Sequence, residues 1–155
     1  MGGGKARIQV EITYAAGEAS ADVDRLAELV ESVCARFGLT SAEVSIAIVD
    51  DAAIQKTNEE FLGHAFATDV ISFDLSEEGV AAFDLVVNAQ EAARQSLRRG
   101  HSVEAELALY VVHGLLHHLG FDDQQAADAE RMHSVEDSIL QEAGYGGVYS
   151  RPEGD

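Results

Sequence analysis

The stretch "HGLLHHLGFDD" (113–123) gathers three histidines and two aspartates where an apolar run, "AELALYVV" (105–112), comes to an end. His113 and His117 are four apart. On an α-helix that is ~400° of rotation, so both rings lie on one face, a turn apart. This spacing lets two imidazoles share one ion, as helical zinc sites do. Gly120 stands three residues further on, where a helix can end in a left-handed turn without steric cost. Asp123 follows by another three residues, close enough for the chain to fold back toward the same ion. The pattern H-x-x-x-H-x-x-G-x-x-D therefore offers His113, His117 and Asp123 as ligands for one Zn2+ per chain. Three protein ligands leave a fourth position open to water, which marks a catalytic rather than a closed structural site. Asp122 takes the place of Asp123 if the turn is shaped differently.

The remaining histidines are weighed by position. His118 lies ~100° round the helix from His117 and should face elsewhere, as a surface or supporting residue. His133 reads as a solvated or core-satisfied histidine, and His101, next to a glycine, is given no special role. Metalloproteases of this spacing carry a glutamate after the first histidine as general base. Here that position is Gly114, which cannot take a proton, so peptide hydrolysis by the usual route is not expected. Zinc still lowers the pKa of its own water toward ~7, so that water can serve as a nucleophile without such a base. His64, in "FLGHAFATD", is a candidate proton donor or phosphate contact, with a plain loop histidine as the alternative.

These side chains need elements to hold them. "RIQVEITY" (7–14) and "EVSIAIVD" (43–50) alternate apolar and polar residues, as half-buried strands do. "TDVISFDL" (68–75) and "FDLVVNA" (83–89) are short, rich in β-branched and aromatic residues, and joined by the acidic, glycine-containing "SEEGVAA". Helices are expected over 20–38, 51–63, 89–100, 103–120 and 125–144, with Asn88 and Ser102 as caps of the third and fourth. The fourth is apolar on most sides and should be central. The order βαβα, two strands, three helices predicts an α+β fold: a small mixed four-stranded sheet packed with about five helices.

Composition narrows the function. A chain of 155 residues with 46% hydrophobic and 25% charged residues is expected to form one domain, over 1–146, with a loose tail at 147–155. The single cysteine, Cys34, permits no internal disulfide, reads as a packed core thiol, and suits a reducing compartment. No segment reaches the ~18 apolar residues of a membrane span, and "MGGGKARIQV" lacks the apolar stretch of a signal peptide. The expectation is a cytoplasmic protein with no membrane partner. No glycine-rich phosphate loop supports a nucleotide cofactor. The net charge of −18 opposes long-range attraction to a polyanion. Any RNA contact has to be local, and "RQSLRRGH" concentrates Arg94, Arg98 and Arg99. They form either a phosphate-contacting patch or a solvated helix end with cations at its negative terminus.

The same residues resemble the bacterial YbeY family, metal-dependent endoribonucleases of ribosomal RNA maturation. The family signature His-Gly-x-Leu-His, two residues, Gly-Tyr/Phe-Asp-His is similar to "HGLLHHLGFDD". Four further matches follow in order: "TN" (57–58) before an aromatic residue, "TDVISF" (68–73), "DLVV" (84–87), and "ERMHSVED" against the family's closing Met-x-x-x-Glu helix. The likeness spans roughly residues 43 to 140. It implies an α+β fold with a zinc site at the end of the central helix, and single-stranded ribosomal RNA or the small ribosomal subunit as partner. Three positions depart from the family. Asp123 stands for its third histidine, Leu62 for its active-site arginine, and Phe83 for its strand glycine. Leu62 favours the alternative reading, a ribosome-assembly binding factor whose metal site is structural or weakly catalytic.

Overall fold

The computed structural model describes residues 7–15, 22–63, 68–121 and 124–145. Four strands and five helices follow the expected order: β1 (Arg7–Tyr14), α1 (Val23–Arg36), β2 (Ser41–Val49), α2 (Asp51–Leu62), β3 (Val70–Asp74), β4 (Ala81–Asn88), α3 (Ala89–Arg99), α4 (Val103–His118) and α5 (Ala126–Glu142). The sheet order is β1-β2-β4-β3. β1, β2 and β4 run parallel, and β3 lies antiparallel along β4 as an edge strand. The architecture is the mixed α+β fold that the element order predicts. Among the described residues no helix is long and apolar enough to cross a membrane. The expected tail at 147–155 lies outside the described residues.

Strand alternation assigns the two faces. Val44, Ile46 and Ile48 of β2 and Phe83, Leu85 and Val87 of β4 point into one large core shared with α1, α3, α4 and α5. On the opposite face Val49, Ile71 and Ile54 form a smaller cluster under α2. Below α2 that second face is open, and Glu43, Glu77, Glu78 and Asp84 line an acidic hollow on it. Four carboxylates are thus displayed together on the side of the sheet away from α4.

The helices begin where short polar side chains can accept an orphan backbone N–H. Asp50 accepts from Ala53, Asn88 from Gln90 and Glu91, and Ser102 from Ala105. α4 is buried on most sides, as its uniform apolarity requires. It sits close to the sheet at Gly114, where a Cβ would come within 3.1 Å of Leu85 and 3.4 Å of Val70. α4 is followed by Gly120, whose φ of +99° turns the chain away, with Phe121 N–H donating back to the Leu116 carbonyl.

Candidate metal centre

The last two turns of α4 bring His113 and His117 together as their spacing predicts. Their rings meet edge to face, with centroids 4.6 Å apart and Nε2 atoms 3.1 Å apart. Two imidazole nitrogens bound to one zinc at ~2.0–2.1 Å in tetrahedral geometry lie ~3.3 Å apart. The separation of the two nitrogens is close to that of a pair sharing one ion. Among the described residues no third histidine, cysteine or carboxylate joins them. Asp123 and Asp122, the expected third ligand and its alternative, lie outside the described residues, as does His64.

Behind His113 stands a residue to which the sequence assigned no role. Glu136 of α5 is fully buried, and its Oε2 lies 2.6 Å from His113 Nδ1. An ionised carboxylate can only accept, so Nδ1 carries the proton and Nε2 keeps its lone pair toward His117. The signal that could have found it is the Met132-x-x-x-Glu136 match in the closing helix. Met132 is equally buried, one turn away on the same helix face.

His118 turns away from the pair. It stacks on Phe83 with ring centroids 5.0 Å apart and planes within 6°. Burial lowers its pKa below the ordinary histidine value and neighbouring His117 adds to this, with Asp74 opposing.

The three arginines do not form a uniform patch. Arg94 grips both carboxylate oxygens of Asp51 at 2.8 and 3.0 Å and also bonds Glu91. Its guanidinium, followed by the Asn88 amide, holds the Asp51 carboxyl below its ordinary range. Arg99 pairs with Glu106, and Arg98 is exposed without an ion pair among the described residues. His101, expected to have no special role, is in fact buried against Glu106, Nε2 to Oε1 2.5 Å. Leu62 is 49% exposed at the end of α2, beside the still more exposed Phe61.

The family model described as Endoribonuclease YbeY matches residues 11–144. The chain belongs to the YbeY family. An endoribonuclease YbeY of Anaeromyxobacter sp. is 39% identical over 133 residues, covering 84% of this chain and 69% of the relative. The Bacillus licheniformis endoribonuclease YbeY is 36% identical over 137 residues, covering 78% of this chain and 87% of its own length. The solution structure of TM1509 from Thermotoga maritima matches with a TM-score of 0.59 at 23% identity, over 87% of this chain and 90% of that one. That likeness supports the fold. Within this YbeY-family chain, the geometry brings His113 and His117 together and places a buried carboxylate behind the first of them.

Proposed function

We propose that this chain is a zinc-dependent, single-strand-specific endoribonuclease acting in ribosomal RNA maturation. The observation that carries the reading is the 3.1 Å approach of His113 and His117 Nε2 in a chain of the YbeY family. Asp123 is the proposed third ligand, with one zinc per chain. A divalent ion held there would supply Lewis-acid polarisation of the phosphodiester and stabilise charge as the bond breaks. The imidazoles contribute two neutral donors, so the carboxylate of Asp123 leaves a site of net positive charge, suited to an anionic substrate. His64 is proposed as a proton donor or phosphate contact at the edge of the site. The proposed domain spans 1–146, and the single cysteine with the RNA substrate makes the cytoplasm the proposed compartment.

RNA affinity has to be modest and local. Arg98 is the cation of its cluster best placed for phosphate, because Arg94 and Arg99 are engaged with carboxylates. Arg98→Glu should lower the log–log salt slope of RNA binding by about one unit for each phosphate left unneutralised. Arg94→Glu should instead act through its broken bond to Asp51.

Leu62 gives the second reading its support. An aliphatic side chain cannot stabilise phosphate, so an assembly factor with a weakly catalytic metal site is the alternative. Cleavage of single-stranded RNA by zinc-loaded protein, compared with His113→Ala and Leu62→Arg, separates the two. The endonuclease reading expects cleavage that His113→Ala abolishes and Leu62→Arg raises. Binding to ribosomal subunits without cleavage, with either residue at 62, would leave the assembly factor standing.

A further inference from the structure

Two carboxylates among the described residues are wholly buried, and one lies directly behind the candidate metal centre. Glu136 approaches His113 from α5, whereas both imidazoles belong to α4. The bond therefore joins two helices at the point where one ligand must be aimed. A histidine carries its two nitrogens on opposite edges of the ring, so a group held at Nδ1 stands on the far side from anything bound at Nε2. Glu136 accordingly cannot reach a nucleophile in the site, and it does not replace the base missing at Gly114. What it can do is fix the tautomer, hold the ring plane against rotation, and raise the electron density on Nε2.

We infer that Glu136 is the positioning residue of His113, setting both the direction of its Nε2 and the affinity of the site for a divalent cation. This rests on the metal reading proposed above. Three features support it beyond the 2.6 Å approach to Nδ1. The carboxylate is fully buried, so ordinary solvation does not account for an ionisable group there. Its other oxygen, Oε1, is also buried and has no hydrogen-bond partner among the described residues, so the His113 bond is the main one that orients it. Met132, packed in the core one turn earlier, fixes the α5 face from which Glu136 projects.

A tether between helices would look the same in a static picture, so the test needs a readout that a tether does not move. The variants are Glu136→Gln, Glu136→Ala and, as a control, Glu106→Gln at the other buried His–Glu pair. Zinc affinity is measured by competition with a chromophoric chelator, and the ring tautomer of His113 by nitrogen-15 NMR of zinc-free protein. In the wild type Nδ1 should carry the proton. Glu136→Ala should weaken zinc binding about 10- to 100-fold and scramble the tautomer. Glu136→Gln keeps an acceptor for Nδ1–H but loses the charge, so the tautomer should hold while affinity falls by less. Glu106→Gln should lower the melting temperature with zinc affinity unchanged. Wild-type affinity in folded Glu136→Ala, or an equal loss in the Glu106 control, overturns the role of Glu136 alone. Failure of the wild type to take up zinc overturns the metal reading and this role together.

Discussion

α4 carries a histidine–glutamate pair at each end, and the two pairs have opposite fates. At the amino-terminal end His101 is 3% exposed, Glu106 is 0% exposed, and Arg99 closes the cluster. At the other end Glu136 is again 0% exposed, but the His113 side chain is 21% exposed and turns its second nitrogen to His117. The chemical groups are the same. The difference is what the far edge of the imidazole meets: buried protein with no hydrogen-bond partner among the described residues for His101, the ring of His117 for His113. A buried carboxylate on one edge of a ring leaves that ring able to bind an ion only when the other edge stays accessible. Otherwise it makes a joint between α3 and α4.

That contrast can be broken most forcefully at His117. His117→Ala removes a proposed ligand rather than its support, so zinc affinity should fall by more than the ~100-fold upper range for outer partners. Metal analysis showing undiminished occupancy would erase the distinction between the two ends. Next in size is Glu106→Ala, which takes the carboxylate away from the buried His101 side chain and the half-buried Arg99. Removing one partner of a buried pair destabilises the fold, read as a lower urea midpoint at unchanged zinc affinity. A loss of zinc affinity equal to that of Glu136→Ala would overturn the separate role given to Glu136.

The smallest effect is expected where a pair is exposed to water. Asp51 and Arg94 have good geometry, yet their side chains are 34% and 52% exposed, so the pair should contribute within about 1 kcal/mol. Because the folded-state pKa of Asp51 is lowered, chiefly by Arg94, its contribution is present above the unfolded value of about 3.9 and disappears as pH falls through the depressed folded value. Urea titrations of wild type and Asp51→Asn should therefore differ at pH 7 and converge at the acid end of the range. A difference that grows on acidification would reverse the sign of this argument.

The sequence displayed local features well and distant partnerships poorly. His113 and His117 were legible because helical periodicity alone brings them together. Every element appeared in its place, with ends shifted by one to three residues where caps decide the boundary; α1, for instance, begins after Asp22 rather than at Ser20. Glu136 is 23 positions from its histidine, and no periodicity relates two helices across a turn. Glu106 was hidden differently, as one charge in a run of apolar residues, with its neutralising partners on the preceding segment. Arg94 looked like free positive charge because Asp51, 43 residues earlier, meets it only once α2 and α3 are both in place. Cys34 is the core thiol that its helical setting suggests: it is fully buried, and burial followed by Glu31 pushes its pKa up to about 11.

The seat of α4 on the sheet bears on what this scaffold can become. At residue 114 even a single carbon would stand 3.1 Å from the Leu85 side chain, tighter than ordinary van der Waals contact, and 3.4 Å from Val70, at the edge of such contact. A glutamate there would have to drive its whole side chain into β3 and β4, or lift the helix and carry both imidazoles with it. One codon change therefore does not lead from this site to a peptidase. The route requires the Leu85 side chain to give way first, at a loss of core packing before any new activity could repay it. The neighbouring chemistry is fenced off by the closeness of two layers, independently of any selection on the reaction itself.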